Sequence, residues 1–425
     1  MSANGFELDE KTTGAWLVHH TRKLEQVSNP QAFNKILIAG KAGTLLSALS
    51  ASTQSSLSRK QVEALAQAAN INTYFELPKL LDLLQARKLI DISSSGVDVL
   101  GVTTPSILER TSDVFDDLEP GSEERAPLLL AEVASRQPVK QKRSAQLLSD
   151  TYKLSSGQTA DLLEHAEKIG FVDYEESDSG DKTYFNGNLF RRGDLQKIQT
   201  VLDSLTSDDR KFVGEVEEKL RNAGCMLLDD VIKILSKPLF SKLNAVSMYD
   251  ISIVSNDKEN VAFVTRPAAF AKYGNPLVED ALDLAKAFVS SLTYGMKRSS
   301  HARGRIRMIE RLLIKLINGY WVGPVDAIGQ DYRALEMKRV VEVRASDQGG
   351  YEMRLLKREV GELALNVIKS GDASEMSLLI LPGATVTGYK GPEANREVRR
   401  KKQTPQSKRA TLDIIRALRT GGKLD

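Results

Sequence analysis

The sequence predicts a mostly α fold with small β-hairpins, built as tandem units. Three observations carry this reading. Four stretches echo one another: "LLQARKLIDI" (83–92), "EHAEKIGFVDY" (164–174), "KLNAVSMYDI" (242–251) and "ALEMKRVVEV" (334–343). Each runs from an apolar residue (Leu84, Ala166, Leu243, Leu335) over three variable ones to a small or basic residue (Lys88, Gly170, Ser247, Arg339). Two apolar residues, an acid (Asp91, Asp173, Asp250, Glu342) and another apolar residue follow. Helical stripes come before each echo, and alternating segments flank polar turns after it. Finally, 41% apolar and 27% charged residues over 425 positions suit globular protein with two to four cores.

Residues 1–55 form an N-terminal helical segment, with Trp16, Leu17, His20 and Leu24 at helical spacing. The first unit covers 56–111. Ser58 is placed to cap a helix bearing Val62, Leu65, Ala66 and Ala69, and Asn70–Asn72 breaks it. A second helix turns Phe75, Leu80, Leu81 and Leu84 inward, with Pro78 in its first turn. Strands on either side of "SSSG" close the unit. Residues 112–125, acidic with Pro and Gly, are expected to be a linker.

The second unit, 126–195, has three helices, a cap at Ser155 or Ser156, and a hairpin. Gly170 is expected where the helix must stop in a left-handed conformation. The third, 206–272, repeats the order, with Gly224 ending its first helix and Pro238 starting its third. The fourth lies in 276–371. It contains a long helix, the basic loop "KRSSHARGR", the helix "IRMIERLLIKLINGYW", one helix over "GPVDAIGQDYRALEMKR", a hairpin, and a helix that stops at Gly371. The tail, 388–425, is basic, and "LDIIRAL" could form a short helix there. The acids of the echo are 82, 77 and 92 residues apart, a domain-sized period.

Helix, tight turn, helix, strand, loop, strand resembles the winged helix-turn-helix superfamily, in tandem copies over roughly residues 56–370. That resemblance implies a last helix in the DNA major groove and a wing against the backbone. Charge selects among the copies. Residues 291–344 hold eleven Lys/Arg against five Asp/Glu, and 388–425 hold eleven against four. The wing of unit two, "YEESDSGDK", is acid-rich, and that of unit three, "SNDKEN", is little better, so both would repel phosphate. Units two and three are therefore expected to serve a homodimer or a protein partner.

Unit four is the expected site for double-stranded DNA. Lys297, Arg298, Arg303, Arg305 and Arg307 would contact the backbone from a loop with small residues between them. Gln330 and Arg333 would lie on the recognition helix, which ends in Lys338 and Arg339. Gln and Arg read adenine and guanine edges bidentately. Arg344, Arg354 and Lys357 belong to the wing, and Arg399, Arg400, Lys401 and Lys402 to a grasping arm. A solvated charged face is the plainer reading of any one of them.

Other chemistry finds little purchase in the sequence. No apolar run reaches about 18 residues, so no membrane span is expected. The first twenty residues lack the apolar segment of a secretory signal. Cys225 stands alone and reads as a buried small residue. "IAGKAGT" lacks the spacing of a phosphate loop and reads as a small-residue packing site. Adjacent His19 and His20 would point to different helix faces, which leaves no metal pair. No catalytic residues, cofactor or metal site are assigned, and an enzyme is not expected, although scattered carboxylates could hold a hidden metal-dependent nuclease. The expectation is a DNA-binding protein of the cytoplasm, on the nucleoid in a prokaryote or in the nucleus of a eukaryote. It would act in transcription regulation or as the recognition subunit of a DNA-processing complex. The alternative is a winged-helix interaction scaffold, an accessory subunit of a chromosome-organising or defence complex.

Overall fold

The first element among the described residues is a helix, α1 (Glu10–Leu24), with the Asp9 carboxylate accepting the Thr12 amide at 2.8 Å. This computed structural model describes residues 8–27, 31–51, 56–93, 96–102, 106–177, 180–191, 194–255, 259–274 and 279–379. Four modules with one element order follow α1. The first is α2 (Asn34–Ser50), β1 (Ser56–Leu57), α3 (Arg59–Ala68), α4 (Leu77–Ala86), β2 (Ile90–Ser93) and β3 (Gly96–Val99). After α5 (Ile107–Asp117) comes the second: α6 (Ser122–Arg136), β4 (Val139–Lys140), α7 (Gln141–Tyr152), α8 (Ser156–Ile169), β5 (Asp173–Glu176) and β6 (Lys182–Phe185).

After α9 (Leu195–Asp203) comes the third: α10 (Ser207–Ala223), β7 (Met226–Leu227), α11 (Leu228–Leu235), α12 (Lys237–Asn244), β8 (Asp250–Ser255) and β9 (Asn260–Thr265). Two helices, α13 (Ala268–Ala271) and α14 (Glu279–Lys297), lead to the fourth: α15 (Ile309–Ile317), β10 (Val322–Val325), α16 (Asp326–Asp331), α17 (Arg333–Met337), β11 (Val341–Ala345) and β12 (Tyr351–Leu355). The described chain closes with α18 (Arg358–Ser370) and α19 (Ser374–Ser377). In every module the short first strand pairs antiparallel with the third, which is central: β1-β3-β2, β4-β6-β5, β7-β9-β8 and β10-β12-β11.

The echo is a helix-ending device. Lys88, Gly170, Ser247 and Arg339 all have positive φ, at 55°, 85°, 58° and 53°. In each copy the next amide reaches back to the first residue of the echo. Leu89 donates to the Leu84 carbonyl, Phe171 to Ala166, Met248 to Leu243 and Val340 to Leu335, at 2.9–3.1 Å. That is the six-to-one hydrogen bond of a Schellman cap, with an apolar contact closing it. The first residue of each echo, Leu84, Ala166, Leu243 or Leu335, is buried.

Several expectations change. The first helix of module one is α2, inside the segment read as a separate N-terminal piece. The stretch 112–125 is not a linker. Helix α5 runs to Asp117 and buries Val114 and Phe115, and α6 begins at Ser122. Burying a phenyl ring contributes roughly 2–3 kcal/mol, which a linker residue would forgo. Phe75 does not turn inward; it is 75% exposed, beside the exposed Tyr74. The single helix expected before Arg339 is two, α16 and α17, separated by the buried Tyr332 and preceded by strand β10. Helix α14 is not the first helix of the fourth module; α15 holds that place. His19 and His20 do not diverge: their Nδ1 atoms lie 3.4 Å apart and both rings are buried.

One apolar core runs from α1 through modules one, two and four and reaches Val261 and Phe263 of β9, while a second lies in module three and α9 and reaches Phe185 of β6. Helix α1 lies deep within the first. Trp16 packs edge-on to Tyr273, and its indole donates to Glu132 at 2.9 Å. In "IAGKAGT", Gly40 and Gly43 lie on α2, where a Cβ would strike Thr21 and Thr111 respectively. Among the described residues, no helix is long and apolar enough to cross a membrane.

Candidate nucleic-acid interface

Module four and the loop before it gather most of the cations expected to meet DNA, and the structure sorts them. Arg303 sits in the loop between α14 and α15. Its guanidinium donates to Asp331 Oδ1 and to Gln330 Oε1, both at 2.9 Å. The Asp331 side chain is 1% exposed. Burial works against the Arg303 charge, but the Asp331 hydrogen bond and charge outweigh it and raise the arginine pKa. Burial, aided by the Asp331 charge, pushes the neighbouring Tyr332 phenol up as well. Arg303 is thus a clamp that fixes the loop to α16, and it leaves Gln330 with an occupied carbonyl.

The rest of the loop is then held near the helix pair. The Ile306 amide donates to Gly295, Arg305 Nε donates to the Met296 carbonyl at 2.8 Å, and a Cβ on Gly304 would strike Val325. Lys297, Arg305 and Arg307 remain exposed. Arg298 is exposed too, with Glu259 3.5 Å away. Gln330 and Arg333 do not share a helix, because the chain breaks at Tyr332. Arg333 lies on α17, with its Nε donating to the Gly329 carbonyl. Lys338 and Arg339 follow at the Schellman turn, both exposed, with Glu336 the acid beside them.

The β11–β12 hairpin is different. Register pairs Glu342 with Arg354 and Arg344 with Glu352 across β11 and β12. Both pairs close, at 2.6 and 2.7 Å. Trp321 lies under both arginines, with the Arg344 guanidinium 3.9 Å and that of Arg354 5.1 Å from the ring centroid. The two arginines therefore bring no net charge to a phosphate. Lys357 is half-buried, and its amide caps the hairpin at the Val340 carbonyl. Arg399, Arg400, Lys401 and Lys402 lie outside the described residues, as does "LDIIRAL".

Residues that the sequence reading passed over matter here. Asp331 anchors the basic loop, and Trp321 lies under the two hairpin arginines. Arg311 and Lys315 stand exposed on α15. A tryptophan at the start of a strand, with arginines at alternating positions later, was the available signal for the wing.

In module two, Thr159 is buried rather than offered outward, and Gln158 Nε2 donates to Glu123. In module one, Arg87 is paired with Asp117. Burial pushes the Cys225 thiol up to about 12, and its Sγ lies 3.1 Å from the Thr293 hydroxyl, so it is an inert core residue. Among the described residues, no group of histidines, cysteines and carboxylates could hold a metal ion.

No protein-family model, no curated protein and no solved structure matches this chain.

Proposed function

We propose that this chain is a DNA-binding protein of tandem winged-helix modules that grips duplex DNA through module four. The order helix, strand, helix, helix, strand, strand, with the third strand central, is what a winged helix requires, and it supports the reading in all four copies. The carrying observation is the Arg303–Asp331 ion pair, because it holds the loop bearing Arg305 and Arg307 against the helices bearing Arg333, Lys338 and Arg339. Such a surface favours phosphate contact and gives strongly salt-dependent affinity. The basic tail 388–425 would add backbone charge. The job that fits is transcription control, or recognition within a DNA-processing complex.

The test is a gel shift with duplex DNA over a series of salt concentrations. Arg305→Glu with Arg307→Glu should weaken binding and flatten the salt dependence, as should Lys338→Glu with Arg339→Glu. Unchanged binding in both would remove the proposal.

One observation favours a second reading, an interaction scaffold. The wing arginines are neutralised, and Met337 at the end of α17 is strongly exposed, as are Tyr74 and Phe75 beside α4. A scaffold would bind DNA weakly and without response to the four substitutions above.

A further inference from the structure

A cleft of about 480 Å³ opens where distant parts of the chain meet. Its walls come from the start of α1, from α6, from α10, from the segment between β9 and α13, and from the turn between α18 and α19. The size suits a small ligand. Five carboxylates and five cationic side chains line it, so formal charge alone does not say what it holds. The hydrogen bonds do.

Four of the carboxylates are occupied. Glu132 accepts from Trp16 and pairs with Lys272 at 2.5 Å and Arg136 at 3.1 Å. Asp9 caps α1 through the Thr12 amide and hydroxyl. Asp372 takes the Ser374 amide and hydroxyl at the start of α19. Glu375 takes Lys11 and the Thr12 hydroxyl. These contacts also use up Lys272, Arg136 and Lys11.

Arg266 and Arg221 are left, together with Glu217, whose partner is the Tyr249 hydroxyl. One terminal nitrogen of Arg266 donates to the Gly371 carbonyl, while its Nε is buried with no hydrogen-bond partner. Arg221 is exposed at the rim and makes no hydrogen bond or close ion pair among the described residues. The charges of both arginines act on Glu217, but burial dominates and raises its pKa, favouring the neutral acid. Two guanidiniums, Arg221 without a partner among the described residues and Arg266 with one backbone acceptor, face a single carboxyl, which leaves a positive surplus.

We propose that this cleft is a binding site for a small oxyanion, a phosphate or carboxylate group, held between Arg266 and Arg221. A phosphate or carboxylate offers the paired oxygens that a guanidinium fork engages. A ligand there would touch α10, the segment before α13 and the α18–α19 turn together, and so would stiffen the junction between module three and the last helices.

The experiment is calorimetric titration of the full chain at constant ionic strength, with inorganic phosphate in one arm and citrate in the other. Saturable binding of either probe is expected, and the arm that binds more tightly names the source. Arg221→Gln and Arg266→Gln should each weaken it about tenfold or more. Glu217→Gln should bind as well as the parent or better. Arg221 is exposed, so its variant folds even where the Arg266 variant does not. The proposal is overturned if neither probe saturates, if Arg221→Gln binds unchanged, or if Glu217→Gln abolishes binding, which would mark a cation site.

Discussion

Arg303 and Asp331, 28 residues apart, form a 2.9 Å ion pair in which the carboxylate is almost wholly enclosed. Removing the arginine alone would strand a buried charge. We expect Arg303→Met to lower stability by about 2–3 kcal/mol in chemical denaturation, less than a fully buried pair because the arginine is partly solvated. Arg303→Met with Asp331→Asn should recover most of that loss. Equal losses in the single and double variants would mean the pair does not couple the loop to α16.

The four Schellman turns make a second prediction. Lys88 and Ser247 adopt the left-handed conformation that Gly170 adopts freely. Lys88→Gly and Ser247→Gly should each stabilise by about 0.5–1 kcal/mol, whereas Gly170→Ala should destabilise by about 1 kcal/mol. Thermal melts of the three variants decide it.

The wing should matter less to DNA than the turn beside it. Arg344→Ala and Arg354→Ala are expected to leave the affinity for duplex DNA within about twofold, since each arginine already has a glutamate. Lys338→Ala and Arg339→Ala should each reduce the slope of log affinity against log salt by about 1. A larger effect from the wing pair would reassign the contact surface.

Stability should depend on pH through the α1–α19 junction. Burial first, and then the charge of Asp372, push the Glu375 carboxyl up to about 7, against the pull of Lys11 and Lys272. Between the ordinary glutamate range near 4.5 and neutrality, the folded chain holds a proton that the unfolded chain has lost. That contribution to stability is fully present below pH 4.5 and fades as pH rises toward 7. Glu375→Gln should flatten the profile in this window and gain on the parent at pH 8. Denaturation midpoints from pH 5 to pH 8 check this. Parallel profiles for the two proteins would rule it out.

How much of this was legible in the sequence follows from the range of each interaction. The echo is local: a helix stop, a left-handed residue and two apolar anchors fall within nine positions, so repetition exposed it. The hairpins and the Ser155 cap are local too. Helix α2 was hidden because most of its faces are buried, and its Gly40 and Gly43 blur the apolar stripe. The break at Tyr332 was hidden because apolar spacing continues across it. For the basic surface, counting charges located module four but could not tell a clamp from a contact. Arg303 finds its partner through folding, and Arg344 and Arg354 find theirs through cross-strand register.

Helix α1 also constrains how the chain can assemble during synthesis. Thr12 hydrogen-bonds Glu375, and Arg22 donates to the Leu378 carbonyl, contacts spanning 363 and 356 residues. The modules hold mostly local contacts and can form as they emerge from the ribosome. The helix around which they gather emerges earlier and completes its surroundings last. Trp16 must therefore wait, partly uncovered, until Glu132 and Tyr273 have been made, and Thr12 and Arg22 until Glu375 and Leu378 follow, so α1 stays exposed to wrong contacts while the modules form.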